Sequence, residues 1–142
     1  MLRLPKNELS ELKRYAEAAY PNECCGVLLG VRVGADREVR QTVPCANAAR
    51  FPRTTYEIAP KELIAILRGA RERKLEAVGF YHSHPDHPAR WSPTDLELAH
   101  WIGCSYVIVS LENGAVNQVD SFLLSGTREE SKAFVAEEMV TE

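Results

Sequence analysis

The sequence predicts an α/β fold, of the α+β kind in which a mixed sheet is flanked by helices. Three observations carry that prediction. Amphipathic stretches of helical period alternate with short runs rich in β-branched and aromatic residues. Glycine, proline or an Asn-Gly pair marks most junctions between them. No repeat, linker or low-complexity tract interrupts the 142 residues. They read as one domain, 1–142, with its core at about 9–124 and a C-terminal helix over 127–140.

Residues 7–20 predict a helix, because Leu9, Leu12, Tyr15, Ala16 and Ala19 share one face and Pro21 closes it. Residues 26–34 read as a strand bounded by glycines, and 37–45 alternate well enough to be its hairpin partner. Residues 54–59 read as a short strand. Pro60 then opens a helix reaching about residue 74, with Leu63, Ile66, Leu67 and Ala70 as its apolar stripe. The next strand spans 76–84. Ser92-Pro93-Thr94-Asp95 has the chemistry of a helix start: a hydroxyl cap, proline at the first position and an acid at the third. That helix runs to about residue 101. Residues 104–112 form a buried strand, and Asn113-Gly114 turns the chain into another at 116–124. The tail from residue 127 has the pattern of a polar amphipathic helix.

Composition excludes several function classes. The net charge of −3 provides no basic excess for general nucleic-acid binding. No apolar run approaches the roughly 20 residues of a membrane helix. The first 20 residues carry acids and lack the apolar core and cleavage site of a signal peptide, so a cytoplasmic protein is expected. Its four cysteines, Cys24, Cys25, Cys45 and Cys104, then stay reduced, and no C-x-x-C pair suits a structural zinc. A homodimer is compatible with the sequence but not specified by it.

The chemistry concentrates in "GFYHSHPDHPARWSPTD", residues 79–95, which holds three of the four histidines within six positions. His82 and His84 stand two apart on a predicted strand, so both rings leave one face, about 6.6 Å apart at their backbones. Two imidazoles converging in this way can share a metal. One spelling, H-x-H-x-D-H, adds Asp86 and His87 and looks like the metallo-β-lactamase signature. That fold needs histidine ligands far downstream, and only His100 follows. The other set takes Asp95 from the first turn of the next helix. Three protein ligands and an open position are the arrangement of a catalytic zinc. Asp95 and Ser92 also fit a plain capping box, which would itself aim the ligand.

"HSHPDHPARWSPTD" resembles the JAMM metalloprotease motif (MPN-plus, Mov34/PAD-1), H-x-H-P-x6-S-x-x-D. That family places a glutamate upstream, before Cys-Gly and an apolar strand, and "YPNECCGVLLG" supplies Glu23 there. The resemblance covers roughly residues 9–124 and implies the JAB1/MPN, cytidine-deaminase-like fold. It implies that His82, His84 and Asp95 hold Zn2+, that Glu23 is the general base and acid, and that Ser92 steadies the oxyanion. It implies a peptidase or isopeptidase acting after the C-terminal Gly-Gly of a ubiquitin-like protein. The small size resembles enzymes that process sulfur carriers of the CysO, ThiS or MoaD type. Other readings are an isopeptidase on another ubiquitin-like modifier, a non-catalytic MPN scaffold, a RadC-like nucleic-acid-associated domain, and a cysteine protease built on Cys24 or Cys25.

Overall fold

The computed structural model describes residues 1–142. In chain order its elements are β1 (Leu2–Arg3), α1 (Lys6–Ala19), β2 (Cys25–Val33), β3 (Asp36–Cys45), α2 (Pro60–Glu72) and β4 (Glu76–Pro85). They continue with α3 (Pro93–Leu98), β5 (Ser105–Glu112), β6 (Ala115–Ser125), β7 (Ala133–Glu137) and β8 (Met139–Val140). All eight strands belong to one mixed sheet, in the order β7-β6-β5-β4-β2-β3-β1-β8. The β4–β5 pair is parallel, and the hairpin neighbours β2–β3 and β5–β6 are antiparallel. The α/β reading with a mixed sheet is therefore correct.

The C-terminal segment departs from expectation. In place of a helix over 127–140 there is a 3-10 turn, Glu129–Ser131, followed by β7 and β8. β7 pairs with β6 at one end of the sheet, and β8 pairs with β1 at the other. Only Glu138 separates them, so the two ends of the sheet are brought together and one end of each long outer strand, β3 and β6, is covered. The reason is tertiary. Phe134 packs against Tyr106 and Phe122, and Glu137 takes a buried ion pair with Arg37. A lone helix of that length is marginal in water and offers neither contact.

Residues 54–59 are likewise not a strand. The Asn47 carboxamide takes over the work of a neighbouring strand. Its Nδ2 donates to the carbonyls of Glu23 and Thr55, and its Oδ1 accepts from Glu57 N–H.

Two apolar clusters occupy the two faces of the sheet. One joins Leu12 and Ala16 of α1 to Leu28, Tyr81, Val107 and Val109. The other joins Ala70 of α2 to Val27, Leu29, Phe80 and Tyr106, with Leu96 of α3 against it. Strand alternation sorts the residues. On β4 the sorting depends on a bulge: Leu28 faces Gly79 but Leu29 faces Ala77, so Val78 is the extra residue. A slip of one residue exchanges the faces of a strand. The bulge thereby sends Phe80, and with it His82 and His84, to the side of α2 and α3.

Candidate metal centre

His82 and His84 lie at the end of β4, both buried. Their Nε2 atoms approach to 3.1 Å. The third predicted ligand comes from α3. Ser92 caps this helix: its hydroxyl oxygen accepts from Asp95 N–H at 3.1 Å, and Asp95 Oδ2 accepts from Ser92 N–H at 2.9 Å. This is the capping box expected from Ser92-Pro93-Thr94-Asp95, with Pro93 in the first turn. The same box turns the carboxylate back toward the strand. Asp95 Oδ1 lies 3.3 Å from His82 Nε2, and Oδ2 lies 3.1 Å from His84 Nε2.

These distances fit a divalent metal. Bonds of about 2.0–2.1 Å in a tetrahedron separate neighbouring donors by about 3.3 Å, close to the ring–ring separation and to the distance from each ring to its nearer carboxylate oxygen. The proton positions agree. His84 Nδ1 faces the Pro88 carbonyl at 3.0 Å, and a carbonyl only accepts, so Nδ1 carries the hydrogen and Nε2 of the neutral ring presents a lone pair. The His84 lone pair and the Asp95 carboxylate then point at one place beside His82 Nε2, which suits a cation. His82 is held differently: its ring stacks on Tyr56, centroids 4.4 Å apart, and its Nδ1 is buried without a partner.

The electrostatics follow from burial and pairing. Burial disfavours the charge on Asp95, but the imidazoles of His82 and His84 outweigh it and hold the carboxyl well below its usual range. Burial lowers the pKa of His82. Burial also works against the charge on His84, yet Asp95 and the Pro88 carbonyl together raise it.

Glu23 ends the turn between α1 and β2 and is buried, with Oε1 unpartnered. Its backbone is pinned by its own N–H to the Pro52 carbonyl at 2.7 Å and by Asn47 to its carbonyl. Burial raises its pKa to about 8, with His84 pulling it down and Asp95 pushing it up. Glu23 therefore lies within electrostatic reach of both. Ser92 uses its oxygen as a cap acceptor, which leaves the hydroxyl hydrogen free to donate elsewhere. A cavity of about 340 Å³ opens beside His84 and Ser92, bordered by Trp91 and Arg90. A larger one of about 490 Å³, mostly apolar, lies behind Tyr56.

The alternative residues fall outside this cluster. Asp86 bonds Tyr20 and Asn113, and His87 is exposed. The H-x-H-x-D-H set is not assembled. Burial pushes the thiols of Cys24 and Cys25 up to about 11 and about 12, and the Cys25 thiol donates to the Cys45 and Ala46 carbonyls rather than to an imidazole, so neither is an activated nucleophile. Sequence reasoning missed Tyr56, Asn47 and the Pro88 carbonyl. Asn47 and Pro88 act through bonds that no spacing rule encodes, and Tyr56 carried no signal beyond an aromatic ring in an apparent strand.

Comparison with known proteins places the chain in a family. The family model described as prokaryotic homologs of the JAB domain matches residues 5–124. A desampylase of Haloferax volcanii is 41% identical over 102 residues, 72% of this chain and 72% of the relative. A CysO-cysteine peptidase of Mycobacterium tuberculosis is 33% identical over 125 residues, 87% of this chain and 84% of the relative. A Desulfitobacterium hafniense protein solved in solution superposes with a TM-score of 0.82 at 32% identity, covering 100% of this chain and 94% of that one. With this fold and these relatives, the chain belongs to the JAB family as one of its prokaryotic members and is a hydrolase of the peptidase class.

Proposed function

We propose that this chain is a zinc-dependent peptidase that hydrolyses the amide bond after the C-terminal Gly-Gly of a ubiquitin-like sulfur-carrier protein. The observation that carries the reading is the convergence of His82, His84 and Asp95 on one point within electrostatic reach of a buried, unpartnered Glu23. His82, His84 and Asp95 would hold the zinc, which when bound would supply Lewis acidity to make a water nucleophilic near neutral pH. Glu23 takes the proton of the attacking water and passes it to the leaving amine. Burial works for the protonated form of this carboxyl, which suits a group that must hold a proton between two steps. The free hydroxyl hydrogen of Ser92 donates to the scissile oxygen as charge develops there. His84, fixed by the Pro88 carbonyl, and Asp95, fixed by the cap, need little reorganisation.

The carrier as substrate is supported by the relative named a CysO-cysteine peptidase, which matches most of the chain. A tail without side chains also suits a site walled by Tyr56 against His82 and bordered by Trp91 near Ser92. The more identical relative, named a desampylase, favours a second reading within the same chemistry. There the carrier-like protein is a modifier, and the leaving amine belongs to a lysine of another protein.

The test is mass spectrometry of a Gly-Gly-terminated carrier bearing a C-terminal cysteine, beside the same carrier joined to a lysine side chain. The zinc-loaded protein is expected to remove the cysteine, to stop with a chelator and to be indifferent to a thiol alkylator. Faster release from lysine selects the second reading. Absence of stoichiometric zinc, or an unchanged rate in Glu23→Gln, overturns both.

A further inference from the structure

The loop between β4 and α3 contributes no ligand, yet it holds the carbonyl that orients His84. Its strongest fastenings between Asp86 and His87 are remote in sequence. The Ser110 hydroxyl donates to the His87 carbonyl at 2.5 Å, and Asp86 N–H donates to the Leu111 carbonyl at 2.7 Å. The Asp86 side chain makes two more bonds. Oδ2 accepts from the Tyr20 hydroxyl at 2.6 Å, and Oδ1 accepts from Asn113 N–H at 2.8 Å. Asp86 thus ties the loop to the end of α1 and to the β5–β6 turn. Its own backbone is left-handed, φ 59°, as is that of Asn113, φ 51°. Within the loop the only backbone bond is a long one, His87 N–H to the His84 carbonyl at 3.4 Å. The loop's shape is therefore imposed from outside.

We propose that Asp86 is a positioning residue for the metal centre. By fastening the loop to Tyr20 and Asn113 it keeps the Pro88 carbonyl on Nδ1 of His84. That bond holds the hydrogen on Nδ1 and leaves Nε2 with its lone pair toward Asp95 and His82. A loop released from Asp86 lets the ring take the other tautomer, whose protonated Nε2 cannot ligate. This deepens the metal-centre reading and rests on it.

Zinc affinity, measured by competition with a chromogenic chelator, tests the role together with the His84 tautomer in metal-free protein. The tautomer is read from long-range proton–nitrogen NMR at alkaline pH. Asp86→Gly suits the left-handed backbone but removes both acceptors. It is expected to bind zinc about 10- to 100-fold more weakly and to show mixed tautomers. Asp86→Asn tolerates the same backbone and keeps Oδ1 for Asn113, so it recovers most of the affinity. Tyr20→Phe, which removes one bond from a partly exposed residue, loses a smaller share. If Asp86→Gly binds zinc like the wild type with Nδ1 still protonated, or if Asp86→Asn fails as completely as Asp86→Gly, the positioning role falls alone. If the wild type binds no zinc, the metal centre falls and the proposal with it.

Discussion

Two glutamates with buried side chains are treated in opposite ways. Glu137, where the sheet ends meet, has both oxygens satisfied: Oε2 pairs with the Arg37 guanidinium and Oε1 accepts from the Ser121 hydroxyl at 2.7 Å. Arg37 in turn donates to Ser105 at 2.8 Å. Glu23, on the side of α2 and α3, has an oxygen with no partner and a pKa lifted to about 8. A buried charge that only holds a fold together is paired, because an unpaired one costs too much. A carboxyl left bare and partly protonated carries that cost for another reason, and acid–base work is such a reason.

Substitutions can break this contrast. The largest effect is expected from Glu23→Gln, which should lower kcat by about 10²- to 10⁴-fold while zinc binding persists, read by steady-state kinetics beside metal analysis. The same variant sharpens the comparison through pH. Glu23 is raised in the folded state, so the metal-free fold holds more protons than the unfolded chain between about pH 4.5 and 8. Its contribution to stability therefore falls as pH rises through that window, and metal-free melts of Glu23→Gln should show a flatter profile.

Glu137→Ala is the counterpart. It leaves Arg37 buried without its partner and should cost about 3–5 kcal/mol in denaturant melts. The zinc site should survive in the fraction that remains folded. A Glu137→Ala protein as stable as the wild type would remove the structural half of the contrast.

Ser92→Ala comes next, with kcat lower by about 10²- to 10³-fold from the lost donor. The lost cap should also lower metal-free stability by about 1 kcal/mol. A fall in stability without a fall in kcat would reduce Ser92 to its capping role. The smallest effect on catalysis is expected from Gly26→Ala on the α1 side, which acts on stability alone. A Cβ there would stand 2.3 Å from the Val43 carbonyl oxygen and 2.4 Å from the Tyr81 ring. Overpacking should cost about 1–3 kcal/mol with zinc affinity unchanged.

Much of the site was legible because its determinants are short-range. The spacing of His82 and His84 places them on one face of any strand. Ser92 and Asp95 specify their own helix start through bonds spanning three residues. The α1 and α2 stripes were readable for the same reason, since helical period sets a face wherever the helix lies. Glu23 was different. Burial and charge reach now set it apart from Glu57, Glu76 and Glu97, all exposed, but only the likeness to a family motif selected it beforehand.

What the sequence determined by itself was therefore a set of local objects: two histidines on one face, a self-capping helix with an inward acid, and amphipathic helices on a sheet. The tertiary structure decided how those objects meet. The Val78 bulge chose the face of β4, Asn47 held residues 54–59 out of a strand and Tyr56 against His82, and Arg37 with Phe134 helped make strands of the C-terminal segment. Each of these depends on hydrogen bonds or packing between residues far apart in the chain. Such energies exist only once the partners are brought together, so no window of neighbouring residues contains them.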